Sequence, residues 1–191
     1  MSYSSACLHA LEKYGYVLAH IDGPQGSGKT TLINKLKEKH PSLIVKDLDD
    51  FASIAKDRAG LSNKSSWQFL EHDTLRLNRE KQKIIDRFIY KNKNKPTLLA
   101  GIHMDPPGHV NVPGKKILLD TPPFLSAWRK YRKAKKDKTA SPVHLIDVPF
   151  LYQTAYKDRT RLNRRGYVNM KPKQITQFID NALLSAKSRP V

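Results

Sequence analysis

One cysteine, Cys7, stands in a chain of 191 residues. That excludes an internal disulfide framework and any cysteine zinc cluster. Acid is scarce as well: Asp+Glu 17 against Lys+Arg 35 leaves a formal charge of +18. A field of that size draws polyanions such as nucleic acid, acidic membrane surfaces or phosphorylated small molecules. Long apolar runs are missing, so no membrane insertion is expected. The opening residues MSYSSACLHALEKYGYV have no basic start followed by a continuous apolar stretch. A secretory signal is therefore not expected, and an intracellular setting, cytoplasmic or nuclear, fits best. The guanine-reading motif N-K-x-D is absent, since NKSS and NKNK both lack its aspartate, which argues against a GTPase. The length is also short for a helicase motor with two nucleotide-binding lobes, and suits one domain over residues 1–191.

What is present reads as alternating strands and helices. Residues 4–13 suit a short helix, and YVLAHI (16–21) a buried strand ending at Asp22. From Lys29 to His40, Leu32, Ile33 and Leu36 form an apolar stripe that Pro41 ends. SLIVK (42–46) is a second strand, closing on DLDD (47–50). Strand, glycine loop, helix, strand is the opening of a parallel α/β sheet. About forty helical residues follow, begun by Phe51, Ile54 and Ala55 and broken at Gly60. Ser65 or Ser66 can cap the longer piece from Trp67, and Leu70, Leu75, Leu77, Ile84, Ile85, Phe88 and Ile89 can supply its buried side. PTLLAGI (96–102) and KILLD (116–120) read as the third and fourth strands. The connection between them is short for a parallel crossover, so either it is reduced to a loop or one strand runs antiparallel. After Asp120, Thr121 can cap a helix with Phe124, Trp128 and Tyr131 on one face. VHLIDV (143–148) is a short last strand or the entry to another helix, and Ile175, Phe178, Ile179, Ala182 and Leu183 mark a docked C-terminal helix.

GPQGSGKT at 23–30 satisfies G-x-x-x-x-G-K-[ST] between a predicted strand and a predicted helix. Gly23, Gly26 and Gly28 let successive N–H groups turn inward toward phosphate oxygens, and the helix start adds the positive end of its dipole. Ser27, Thr30 and Thr31 complete the nucleotide-binding set. Lys29 can reach the β/γ-phosphates and Thr30 can join Mg²⁺. On these residues the chain resembles the P-loop small-molecule kinases, the group that holds nucleoside monophosphate, shikimate and polynucleotide kinases. The likeness runs over roughly residues 16–136. It implies a P-loop NTPase fold, α/β, with three α/β/α layers and a mostly parallel central sheet of four to five strands. It also implies a helical acceptor-binding insertion at about 51–95, a lid-like basic segment at about 129–141 and C-terminal helices at about 147–190.

The activity implied is transfer of the γ-phosphoryl group of ATP, with Mg²⁺, to a nucleoside, nucleotide or other hydroxyl or phosphate acceptor. Asp47, Asp49 and Asp50 lie past the carboxyl end of the second strand, which in an open α/β sheet faces the ligand crevice. Asp49 is the leading candidate to orient the acceptor, and Asp47 to join the metal site with Thr30. The competing reading is that Asp49 caps the next helix. Related kinases often end the third strand in Asp-Gly, whereas here Ala100 precedes Gly101. Asp120 resembles the structural aspartate of a fourth strand, and His103 and His109 read as solvated loop histidines. In the resembling kinases lid arginines clamp the transferring phosphoryl group; Arg129 and Arg132 match by position. Arg159, Arg161, Arg164 and Arg165 form a second basic run. With Tyr131 and Tyr167 among the cations, a polynucleotide 5′-hydroxyl acceptor is one alternative. A nucleic-acid-binding P-loop protein without transfer activity is another.

Overall fold

The computed structural model describes residues 17–63, 69–101, 112–136 and 144–187. The expected helix at 4–13, together with Ser65, Ser66, Trp67, His103 and His109, lies outside the described residues. The elements run β1 (Val17–Asp22), α1 (Lys29–Lys39), β2 (Ile44–Asp47), α2 (Asp50–Arg58), α3 (Glu71–Lys91), β3 (Thr97–Ala100), β4 (Lys115–Leu119), α4 (Pro123–Lys136), a single 3-10 turn (Leu145–Asp147), α5 (Val148–Arg164), β5 (Val168–Met170) and α6 (Pro172–Lys187).

Five strands form one parallel sheet in the order β2-β3-β1-β4-β5. β2 pairs with β3 so that Asp47 stands opposite Ala100, and β4 pairs with β5 with Leu119 opposite Met170. The antiparallel alternative for the fourth strand is thereby excluded. Parallel strands covered on both faces read as apolar runs, and TLLA of β3 is buried throughout. The fifth strand is VNM at 168–170, outside every expected strand. Residues 145–147 instead make the turn that enters α5.

The chain divides into two compact units. In the first, residues 1–20 and 41–115, Phe51, Ala55, Leu77, Ile84, Ile85, Ile89 and Leu99 belong to one buried cluster. Phe51 meets Phe88 edge-on at 5.6 Å. α3 begins at Glu71, four residues after the expected start, because the Asp73 carboxylate reaches back to accept the Leu70 N–H at 3.2 Å. Leu70 is 60% exposed rather than part of the buried side. In the second unit, residues 21–40 and 116–191, Leu32, Ile33 and Leu36 of α1 are buried as their spacing predicts. Each contributes about 1.5–3 kcal/mol by leaving water. Ile175 and Ile179 of α6 are fully buried.

α4 departs from its expected face. Phe124 is 61% exposed, and the buried positions are Ser126 and Ala127. Trp128 is half-buried and touches the Tyr131 ring, with centroids 5.4 Å apart. Small residues face inward because another backbone comes close there: a Cβ on Gly26 would lie 2.2 Å from the Ser126 carbonyl oxygen. Among the described residues, no helix is long and apolar enough to cross a membrane.

Candidate functional site

The glycine loop leaves the end of β1 and enters α1, all within the second unit. Asp22 is fully buried, and its Oδ1 accepts the Gly23 N–H at 2.7 Å, which anchors the first residue of the loop. Pro24 to Ser27 then close a tight turn, the Ser27 N–H donating to the Pro24 carbonyl at 3.1 Å. Gly26 has φ +82, a left-handed backbone that side chains rarely adopt. α1 starts from Gly28 with no side-chain cap. Its first N–H groups have no intrahelical acceptors by geometry, so the helix start offers donors and a positive dipole end to an anion.

Lys29 reaches across the loop, its Nζ donating to the Gly23 carbonyl and to the Pro24 carbonyl at 3.3 Å. The ammonium thus spans the loop it belongs to. Thr30 and Thr31 are exposed on the first turn of α1. The Ser27 hydroxyl is buried with no hydrogen-bond partner among the described residues, and the Ser126 hydroxyl shares that condition. A buried hydroxyl inside a loop with left-handed glycines fits a site whose polar groups complete their bonding with a ligand or solvent.

A cavity of about 520 Å³ adjoins this loop. Gly28, Thr31, Leu32, Thr121, Arg129 and Pro172 are among the residues that line it. Arg129, expected as a lid residue, donates to the Ser27 carbonyl at 3.4 Å and so lies against the loop itself. Arg132 is exposed on α4. Arg159 holds the end of β4: one Nη donates to Asp120 Oδ1 at 2.7 Å and the other to the Thr121 carbonyl at 3.2 Å. Asp120 is therefore engaged in an ion pair. Arg161 reaches Asp158 at 3.3 Å and Arg164 is exposed.

Thr121 and Asp158 lie outside the candidate set read from the sequence. Thr121 is buried, and its hydroxyl is committed to the Ser27 carbonyl at 2.8 Å. Burial raises the Asp158 carboxyl above its ordinary range, against the pull of Arg161, Lys29 and Lys130. No local pattern marks Thr121, because its partner lies 94 residues away in the chain. Tyr167, considered for base stacking, is only 8% exposed. Burial, and then the Asp22 charge, hold its hydroxyl far above the usual tyrosine range, so it stays protonated.

The first unit carries the acidic cluster. Asp47 closes β2 and accepts the Asp49 N–H at 3.0 Å. Its carboxylate lies over Gly101, where a Cβ would come 2.5 Å from Oδ1. Gly101 has φ +109, so both backbone and space demand glycine there. Paired residues in neighbouring strands share a face, so Asp47 stands beside Ala100. Asp49 precedes α2, is exposed, and makes no side-chain capping hydrogen bond to that helix. Asp50 is paired with Lys46 at 2.7 Å. The buried His20 of β1 donates its Nε2–H to the Gly101 carbonyl, 3.1 Å away. Among the described residues no group of three or more His, Cys, Asp or Glu side chains could hold a metal ion.

No family model matches the chain, and no curated protein matches it by sequence. Among solved structures it is similar to a shikimate kinase from Acinetobacter baumannii in complex with shikimate. That match has 19% identity over 93% of this chain and 97% of that one, with a TM-score of 0.50. It is also similar to a shikimate kinase from Bacteroides thetaiotaomicron, at 15% identity over 90% of this chain and 98% of that one, with a TM-score of 0.52. At such identity the likeness is one of fold. The fold shared with these shikimate kinases is the α/β fold with a five-stranded parallel central sheet.

Proposed function

We infer that this chain is a P-loop kinase that binds ATP and transfers its γ-phosphoryl group to a hydroxyl or phosphate acceptor. The observation that carries the reading is the 23–30 loop, with its left-handed glycines, its lysine across the loop and its buried Ser27 hydroxyl, opening directly into a helix start. Lys29 leaves its loop carbonyls to hold the β/γ-phosphate charge. Gly26, Ser27, Gly28, Thr30 and Thr31 supply donors around the phosphates. Pro172 and Leu32 offer apolar walls in the adjoining cavity, which suits a nucleobase. Thr30 is the residue of the loop to hold Mg²⁺, which when bound neutralises phosphate charge.

Asp49 orients the acceptor and receives its proton as the new bond forms. Its exposure just past the carboxyl end of β2 supports this reading. Arg132, or Arg129 once it leaves the Ser27 carbonyl, stabilises the charge that develops on the transferring group. The test follows γ-labelled ATP, with Mg²⁺, into nucleosides, nucleoside monophosphates, shikimate-like alcohols and 5′-hydroxyl oligonucleotides. Label in one acceptor, lost in Lys29→Ala and Asp49→Ala, supports the reading and names the acceptor class. Full activity in Lys29→Ala sinks it.

The +18 charge favours a second reading, in which the acceptor is a polynucleotide 5′-hydroxyl or nucleic acid is bound without transfer. The two readings separate on product: a bound but unlabelled oligonucleotide supports binding alone.

A further inference from the structure

We propose that Thr121 is a positioning residue for the phosphate cradle, holding the Ser27–Gly28 peptide so that the Gly28 N–H faces the phosphate. The inference rests on the nucleotide reading above and adds a residue that the glycine motif does not contain. A peptide bond is planar and trans, so the carbonyl of one residue and the N–H of the next point in opposite directions. Whatever fixes the Ser27 carbonyl therefore also fixes the Gly28 N–H. Two donors converge on that oxygen, Thr121 Oγ1 at 2.8 Å and an Arg129 Nη at 3.4 Å. Both come from the segment after β4, so the Gly28 N–H is turned away from that segment. Thr121 makes the shorter bond and is buried, out of competition with water.

The clamp is itself supported. Arg159 on α5 bonds Asp120 at 2.7 Å and the Thr121 carbonyl at 3.2 Å, and α5 packs along α4. A guanidinium bridging two consecutive residues fixes the backbone from which the Thr121 hydroxyl projects. The β-branched side chain then has few rotamers left, so its hydroxyl is held in one direction. Glycine at 28 makes such a restraint necessary, because φ +97 and the absence of a side chain leave its peptide otherwise free to turn. Preorganised donors avoid the cost of ordering the loop when the anion arrives.

The experiment uses the full chain and three variants, Thr121→Val, which keeps the shape but removes the donor, Thr121→Ser, which keeps the donor, and Arg159→Gln. Inorganic pyrophosphate and ADP are titrated against each, and the Gly28 amide is followed by nitrogen-15 NMR. Thr121→Val should weaken pyrophosphate and ADP by about tenfold and abolish the pyrophosphate-induced shift of the Gly28 amide. Thr121→Ser should restore both. Arg159→Gln, which leaves the hydroxyl in place and serves if the valine chain does not fold, should weaken pyrophosphate by about threefold. Equal pyrophosphate affinity in wild type, Thr121→Val and Arg159→Gln, with the Gly28 shift intact, overturns the positioning role while leaving the nucleotide reading untouched. A wild-type chain that binds neither ligand, or a Lys29→Ala chain that binds both as well as wild type, overturns the nucleotide reading itself. A melting temperature lowered in Thr121→Val without any change in pyrophosphate affinity assigns the bond to stability alone, and overturns the proposal.

Discussion

Replacing Gly26 by alanine probes how closely the loop is built against α4. A Cβ at this position would stand 2.2 Å from the Ser126 carbonyl oxygen and 3.3 Å from the Lys130 nitrogen, where ordinary contact begins at about 3.4 Å. The obstructing atoms are helix backbone, so relief requires the loop or α4 to move as a body. Left-handed φ for an alanine costs about 1–2 kcal/mol, and forcing extra volume into a packed site adds about 1–3 kcal/mol. The sum is about 2–5 kcal/mol, and at about 2–4 °C per kcal/mol for a chain of this size the melting temperature should fall by roughly 10 °C. Gly166 is the internal control: its φ is +79, yet nothing lies within 4 Å of its missing Cβ. Gly166→Ala should therefore show the conformational part alone, about 1–2 kcal/mol and a drop of roughly 4 °C. Both variants are measured by thermal unfolding, and pyrophosphate binding is titrated on each. Gly26→Ala should also lose pyrophosphate affinity, because the loop must shift, whereas Gly166→Ala should retain it. If the two melt alike and bind alike, the close approach of loop and helix is wrong.

Lys29→Ala should abolish phosphoryl transfer and weaken ADP by tenfold or more while leaving the far-ultraviolet circular dichroism of the wild type; retained ADP affinity in a folded variant counts against the loop as a phosphate site. Asp49→Ala should lower kcat by at least a hundredfold with nucleotide affinity nearly unchanged, and a variant that loses ADP binding instead would place Asp49 outside the acceptor role. Asp158 carries a pH signature: burial raises its carboxyl in the folded chain, so the folded state holds that proton more tightly than the unfolded one, and its contribution to stability falls as pH rises from the ordinary aspartate value through the raised one. Asp158→Asn should remove that fall, which begins at the ordinary aspartate range and runs upward from it, in denaturant titrations; a variant curve parallel to wild type on that acid side contradicts the assignment. Affinity for a 5′-hydroxyl oligonucleotide, if that is the acceptor, should drop steeply with added salt while affinity for a mononucleotide changes little; equal salt slopes argue against a polynucleotide track.

Much of the phosphate loop could be read without coordinates because its information is local. β1, the 23–30 loop and α1 are contiguous, and the stripe of Leu32, Ile33 and Leu36 is buried as spacing requires. The helix break near Gly60 and the four longer strands were legible for the same reason. β5 was not, since VNM is three residues long and largely exposed, and pairing with Ile117, Leu118 and Leu119 is what makes it a strand. The α4 face was misjudged because aromatic spacing points to Phe124, Trp128 and Tyr131, while the neighbouring loop at Gly26 requires small residues at that contact. The start of α3 moved because the Asp73 carboxylate caps it four residues past the expected position.

The sequence by itself determined that a strand feeds a glycine loop and a lysine-bearing helix, since turn chemistry, helix starts and apolar periodicity act over a few neighbouring residues. It also determined the excess of cations and the absence of a carboxylate before Gly101. Only the tertiary structure decided which groups complete that loop. Thr121 lies 94 residues beyond the carbonyl it holds, Arg159 a further 38 beyond the carbonyl it supports, and Asp47 gains its place beside Ala100 through strand register. Hydrogen bonds and ion pairs act over about 3 Å of space whatever the separation along the chain, so such partners are chosen by how the strands and helices pack.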